Sequence, residues 1–315
     1  MSRFKRLIIV FSALTLACGA AQAGKLSIVI DDFGYRPANE KKILAMPKNI
    51  SIAVLPDAPH AREMAVAAHQ QGREVLIHLP MAPLSKQPLE RNTLHPAMSR
   101  EEVSRIVAEA VGKVPYASGL NNHMGSAMTS SLSGMQNVMQ VLSHYQFYFL
   151  DSMTIAGSQS QAAAAGTGVK VIKRNVFLDD SQNEAEIRKQ FTRAVELARR
   201  KGHAIAIGHP HPATVRVLQQ MLPALPADIE LVRPSMLLDE PVSSGSHPRP
   251  SVPAPAPVKP RNPFHGIGLC AFRHRPSPVY ADAMFKVLST SIVASMSDIL
   301  SSRRTLPQQE PATPK

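Results

Sequence analysis

The chain has 315 residues, 44% of them hydrophobic, enough for one large core or two small ones. Its formal charge of +12 is uneven: residues 1–23 carry +3, residues 241–315 carry +6, and only +3 falls on residues 24–240. A basic surplus carried mostly by a tail suits an anionic envelope polymer or a membrane surface more than nucleic acid, and plain solvation of the tail equally well.

Arg3, Lys5 and Arg6 precede an apolar run from Leu7 to about Ala17, and Ala21-Gln22-Ala23 has the small residues of a cleavage site. This is the pattern of a secretory signal peptide, too short for a spanning helix. The expectation is a mature chain that begins near Gly24 in the periplasm. Thr15-Leu16-Ala17 is a poor lipobox for Cys18. Once the signal is removed only Cys270 remains, which excludes an intrachain disulfide despite an oxidising compartment. No second apolar run is long enough to span a bilayer.

The first strand is predicted at "LSIVI" (26–30), and it runs straight into Asp31 and Asp32, then Phe33 and Gly34. Adjacent carboxylates at the end of an apolar strand repel one another and lose solvation. Such a pair persists when a cation or a proton-transfer task lies between them, although Asp and Gly also make ordinary turns. Further strands are predicted at 50–55, 74–79, 117–121, 147–151, 169–173, 203–208 and 229–232. Ser99 and Glu102 form a capping box before Val103, Ile106, Val107 and Ala110. Ser181 and Glu184 read the same way before Ile187, Phe191, Val195 and Ala198, with Gly202 ending that helix. Asp179 and Asp180, just ahead, suit the N-terminal end of the helix dipole. Met135, Val138, Met139 and Leu142 mark a further helix as core. Repeated strand–helix units over about 215 residues imply a parallel sheet, and seven or eight strands favour a barrel.

Composition changes at Pro241. Residues 241–263 are Pro/Ser/Ala-rich with no apolar period and read as an extended linker. In the basic segment 264–315, Met284, Val287, Leu288, Ile292 and Met296 have roughly helical spacing, which suits either a docking helix for an envelope protein or a small module that needs a partner.

Polar residues recur where strands end. Asp31 and Asp32 follow the first strand, His78 is near the end of the third, His123 follows the fourth, and Asp151 ends the fifth. Arg174 and Asn175 follow the sixth, and His209 follows the seventh. In a (β/α) barrel these ends share one face. Imidazoles plus one carboxylate suit zinc or a similar divalent ion with a position open to water. A neighbouring carboxylate can take a proton, and a further histidine can protonate a leaving amine. Asn121 and Asn122 either hold the barrel mouth together or contact substrate. Gly34, Gly125 and Gly208 are read as turn glycines, and residues 80–98 as a wall of the cleft.

"VIDDFGY" resembles the first motif of the NodB-like polysaccharide deacetylases. Together with "LIHLPM", "LNNHMGS", "FLDSMT" and "IGHPHP" it makes residues 25–235 similar to the divergent polysaccharide deacetylase family. The resemblance implies an α/β fold, a deformed (β/α) barrel with seven or eight strands. It implies Asp31 as base, Asp32 as metal ligand with His78, and His209 as acid. Position on the rim adds His123 as third ligand and Asn122, Asp151, Arg174 and His211 around the substrate. The chain departs from the common pattern in having no H-x-x-x-H segment, so its second histidine must come from another strand. The expected activity is a metal-dependent deacetylase, with Zn2+ as cofactor and a peptidoglycan fragment or other envelope glycan as substrate. The alternative is a glycan-binding or envelope-assembly protein on the same fold. A metallophosphoesterase is set aside because position 33 is Phe and no G-D-x-x-D occurs. With aromatics at 5% and no Trp, a short or branched glycan suits the chain better than an extended polymer.

Overall fold

The computed structural model describes residues 23–240. The expected signal peptide (all but Ala23), the Pro-rich linker and the basic C-terminal segment lie outside the described residues. Strands β1 (Gly24–Phe33), β2 (Ser51–Val54), β3 (Val75–Met81), β4 (Ala117–Met124), β5 (Tyr148–Asp151), β6 (Val171–Lys173), β7 (Val176–Phe177), β8 (His203–Gly208) and β9 (Ile229–Leu231) form one sheet. Its order is β6-β5-β4-β3-β2-β1-β8-β7, with β9 added beside β1, and every pairing is parallel. The sheet curls so far that its two edges, β6 and β7, are joined by Arg174 and Asn175 alone. The Arg174 amide donates to Asp151 on β5 and the Asn175 amide to Ile205 on β8. This is the deformed eight-strand barrel expected from the sequence. β7 was not foreseen, because two residues show no period.

Helices α1 (Pro37–Leu44), α2 (Ala61–Gln70), α3 (Arg100–Lys113), α4 (Ser126–Ser130), α5 (Leu132–Leu142), α6 (Ser160–Ala163), α7 (Glu184–Lys201) and α8 (Pro212–Met221) connect the strands. The capping box of Ser99 and Glu102 starts α3, both hydrogen bonds being made. The start of α7 differs from expectation: Asn183, not Ser181, is the cap, its side chain accepting from the amides of Ala185 and Glu186. Asn competes well at this position.

Strand side chains alternate between two apolar cores, as a period of two requires. Leu26, Ile28, Ile30, Ile52, Val54 and Ile77 join the buried faces of the helices, including Met64, Val103, Met135 and Phe191. Val29, Ala53, Leu76, Leu150, Ile205 and Ile207 form a separate core inside the barrel, closed by Val232 and Leu237. Because both faces are covered, the strands read as continuous apolar runs.

One buried cation holds the outer layer. Arg73, 4% exposed, donates to the carbonyls of Leu44, Met46, Pro47 and Ile50. It thereby caps the end of α1 and the approach to β2. Arg73→Met is expected to lower unfolding free energy by about 3 kcal/mol, since several buried carbonyls lose a charged donor. A denaturant titration reads the change.

Candidate active site

The alternation that builds the inner core also places the site. Two residues beyond Val29 on the same face stands Asp31; two beyond Leu76 stands His78; two beyond Ile207 stands His209. On β4 the same step carries Gly119 to Asn121 and then His123. β3 and β4 pair with His78 beside Asn121 and Pro80 beside His123, so the two histidines come from neighbouring strands. That arrangement supplies the second imidazole that the absent H-x-x-x-H segment would otherwise give.

Asp32 breaks the alternation. A regular strand would aim it away from Asp31, but β1 has a register irregularity between Ile30 and Phe33, and Asp32 has φ of 57°. The left-handed residue costs about 1 kcal/mol for a non-glycine and turns two consecutive carboxylates toward one place. His78 Nε2 is 3.6 Å from Asp31 Oδ2 and 3.3 Å from Asp32 Oδ1. Met124 and Gly125, just after His123, also have positive φ, and a Cβ on Gly125 would lie 2.9 Å from that of Met81.

Three potential ligand atoms form a near-equilateral triangle. Asp32 Oδ1 to His123 Nδ1 is 3.2 Å, Asp32 Oδ1 to His78 Nε2 is 3.3 Å, and His123 Nδ1 to His78 Nε2 is 3.2 Å. Ligands of a tetrahedral ion at 2.0–2.1 Å stand about 3.3 Å apart, so the donor set fits a zinc-sized divalent cation. Asp32 Oδ1 is also a buried oxygen with no hydrogen-bond donor aligned on it, an arrangement that a cation would satisfy.

The surrounding hydrogen bonds orient the triangle. Asn121 donates from Nδ2 to Asp31 Oδ1 at 2.9 Å, and its Oδ1 lies 2.8 Å from His78 Nδ1. With its amide group facing Asp31, Asn121 accepts at Oδ1, so His78 carries its proton on Nδ1 and turns the lone pair of Nε2 to the triangle. Burial alone would lower the pKa of His78, yet Asp31 and Asp32 outweigh it and raise the pKa. A metal ion and a proton compete for that lone pair. Burial would raise Asp32, but His123 and His78 hold it well below the usual carboxylate range. Asp31, 2% exposed, is raised by burial, with His78, His209 and Asn121 opposing. Asn121→Ala is expected to weaken divalent-metal affinity by about 10–100-fold, as loss of a ligand-orienting partner does. Calorimetric titration of the folded variant checks this.

On the other side of Asp31, His209 Nε2 stands 4.0 Å from Asp32 Oδ2. Its Nδ1 donates to Asp179 Oδ1 at 3.0 Å, and its backbone amide donates to Asp179 Oδ2 at 2.7 Å. Thr214 Oγ1 completes the grip on Asp179 at 2.6 Å. Asp179 therefore orients His209, rather than serving the start of α7. Burial acts to lower the pKa of His209, but Asp179, with Asp32 and Asp31, raises it to about 9. Gly208 is a strand residue rather than a turn, and a Cβ there would crowd Leu178 and Asp179 at 3.2–3.3 Å.

The other predicted site residues lie outside this cluster. Asp151 is on the outward face of β5 and accepts from Met153 N, Ser158 Oγ and Ser160 Oγ. Asn122 is likewise turned outward and buried, donating to Met124 O and accepting from Ser152 N. These bonds tie the end of β4 to the start of the loop after β5 at the barrel mouth. Arg174 donates to the carbonyls of Ser152 and Met153 and covers the ring of Phe177 at 4.9 Å. His211 stands beside His209, its Nδ1 2.7 Å from Arg36 Nη1. Asp179, His209 and His211 could also surround an ion by spacing alone. The Arg36 guanidinium and the filled hydrogen bonds of Asp179 oppose one there.

A cleft of about 640 Å³ adjoins the cluster, lined by Ser152, Met153, Arg174, Phe177, Gln190 and Arg193 among others. Phe177 links it to the site through an edge contact with His209 at 5.3 Å. The 80–98 segment loops out from β3 and returns at Leu94, which pairs with Met81; it does not line this cleft but borders the cluster on another side, where Glu90 meets Tyr35 and Leu84 meets Ser126.

A curled parallel barrel with an Asp-His-His triangle, a second buried carboxylate and an Asp-supported histidine at its rim has the layout of a deacetylase-type fold. The divergent polysaccharide deacetylase family matches residues 28–238, and the chain belongs to it. It is 62% identical over 296 residues to protein YibQ of Escherichia coli K12, covering 94% of this chain and 92% of that one. It is 42% identical over 275 residues to an uncharacterized protein of Haemophilus influenzae, covering 85% of this chain and 96% of that one. Its fold is also similar to the crystal structure of the uncharacterized protein ATU2773 from Agrobacterium tumefaciens C58, with a TM-score of 0.64 at 20% identity over 69% of this chain and 90% of that one.

Proposed function

We propose that the protein is an exported, metal-dependent carbohydrate deacetylase that hydrolyses an N-acetyl group of an envelope glycan. The observation that carries this reading is the triangle of Asp32 Oδ1, His78 Nε2 and His123 Nδ1, with its buried and undonated oxygen. Those three residues would hold a divalent ion, zinc by donor type, which supplies Lewis acidity toward water and a carbonyl oxygen. Asp31, kept basic by burial, takes the proton of the attacking water as its oxygen bonds to the acetyl carbon. His209, held protonated by Asp179, gives a proton from Nε2 to the sugar nitrogen as the carbon–nitrogen bond breaks. The products are acetate and a free amine. Asn121 keeps Asp31 and His78 in register throughout.

The cleft beside Phe177 supports a short glycan, because Arg174 already covers that ring and leaves no open aromatic platform for stacking. Export through residues 1–23 would place the enzyme in the periplasm, where envelope glycans are found, and the basic tail would serve contact with an envelope partner. The test is acetate release from short N-acetylated envelope oligosaccharides by the zinc-loaded protein. Release that Asp31→Asn abolishes while zinc is retained supports the reading. A zinc-loaded protein that binds these oligosaccharides without releasing acetate would leave a glycan-binding protein instead.

A further inference from the structure

Two loops bordering the site expose apolar side chains beside basic ones. Among the described residues, six large hydrophobic side chains are exposed, and three of them are Tyr35 at 45%, Leu84 at 69% and Leu89 at 44%. Tyr35 lies three residues after Asp32. Leu84 and Leu89 lie on the loop from Ala82 to Thr93, whose ends are pinned by hydrogen bonds of Ala82 and Leu94 across β3. The Tyr35 hydroxyl donates to Glu90 at 3.2 Å, and the Leu84 amide donates to Ser126 Oγ, at the start of α4 just beyond His123. These contacts hold both loops at the mouth of the site. A loop closed at its base that exposes leucines to solvent places apolar surface where binding residues are commonly found.

The charges on the same loops are Arg36, Lys86 and Arg91, all exposed, against Glu90. Glu90 receives the Tyr35 hydroxyl, while none of the three cations has a carboxylate within ion-pair distance among the described residues. The nearest acids past the loop's return, Asp57 and Glu109, are already paired, with Lys113 and Arg105. Arg36 meets only the His211 ring, which burial and its cationic neighbours hold below its usual pKa. Protruding leucines and a tyrosine, ringed by unpaired cations, match the boundary between acyl chains and anionic headgroups.

We propose that this rim docks on an anionic membrane surface, with Leu84, Leu89 and Tyr35 entering the headgroup layer and Arg36, Lys86 and Arg91 meeting its charge. Docked in this way, the mouth of the site faces the bilayer and meets a substrate whose glycan is presented at the membrane. That last point rests on the deacetylase reading; the docking itself does not, and needs neither metal nor activity.

The experiment is co-sedimentation of the exported form, residues 24–315, with phosphatidylcholine vesicles with and without 30 mol% phosphatidylglycerol (about that fraction gives an anionic surface comparable to a PS-rich leaflet). Binding is expected to need the anionic lipid and to weaken with salt. Leu84→Ser with Leu89→Ser should reduce the partition coefficient by about tenfold, and Lys86→Glu with Arg91→Glu by about twentyfold or more, near fivefold per basic residue removed. Tyr116→Ser with Leu132→Ser, which alters two exposed hydrophobics off these loops, should leave it within about twofold. All six positions are exposed, so folding is checked by thermal melting and expected to hold. Absence of vesicle binding would overturn the proposal, as would binding that both rim pairs leave unchanged, which would assign it to the basic tail. A dimer that the rim pairs convert to monomer, without vesicle binding, would assign the rim to a second copy of the chain. An unmodified protein that releases acetate but never binds vesicles fails this proposal alone, and one that binds vesicles through the rim but releases no acetate fails the deacetylase reading alone.

Discussion

His123→Ala is expected to leave the protein folded and to remove stoichiometric divalent metal. The residue is one of three donors in a triangle with sides of 3.2–3.3 Å, and nothing else among the described residues completes it. A side chain that merely orients a ligand is worth about 10–100-fold in metal affinity, so loss of a ligand itself should exceed about 100-fold. Elemental analysis of the purified variant and a competitive chelator titration read this directly. Asp32→Ala should act the same way, with one difference. Alanine fits φ of 57° worse than aspartate, so this substitution adds backbone strain and also removes the carboxylate that His78 and His123 favour. Thermal stability of the metal-free Asp32→Ala protein should therefore fall somewhat, and metal-dependent stabilisation should disappear. Equal zinc content in wild type and both variants would remove the basis of the metal site.

Asp179→Asn is expected to lower deacetylation by about 10²–10⁴-fold, the range that a positioned proton donor contributes. The carboxylate accepts from the His209 ring, the His209 amide and Thr214 Oγ1. An asparagine would set an N–H against one of these donors and remove the charge that keeps His209 protonated. In the wild type His209 has its pKa raised from 6.5 to about 9. Protonated His209 therefore contributes stability that is fully present below pH 6.5 and is lost as pH rises through about 9. In the metal-free protein the stability gap between wild type and Asp179→Asn should be wide near pH 6 and narrow near pH 10. A gap independent of pH would mean that Asp179 holds Thr214 and the loop and does not hold a charge on His209. On the proposed deacetylase reading, the alkaline limb of the rate profile should move down in pH in the variant.

Both predictions involve residues that the sequence treated differently. His123 could be placed on the rim from sequence because it follows the strand expected at 117–121; in the structure β4 runs on to Met124 and carries His123 itself. Asp179 follows β7, which has two residues, too few to show any period, so its inward direction was hidden and a helix-start reading took its place. Read with the correct strand, the step of two from Phe177, which packs on the inner core, leads straight to Asp179. The same step corrects Asp151. It ends β5 as expected, but Tyr148 and Leu150 occupy the inner face, so Asp151 must point out toward Ser158 and Ser160. Position at a strand end was legible; the face was not weighed.

Eight of the nine strands, their parallel arrangement through intervening helices, and the rim to which Asp31, His78, His123 and His209 come were legible in the amino-acid sequence. Those follow from local apolar period and chain order, which each segment carries within itself. Only the tertiary structure decided that Asp32 turns back to share a site with Asp31, that β3 and β4 pair in the register that sets His78 against His123, and that Asn121 links Asp31 to His78. These depend on a bulge, a positive φ and a register between strands over 40 residues apart. Such features are set by the packing of the curled sheet as a whole, and no single segment of the chain contains them.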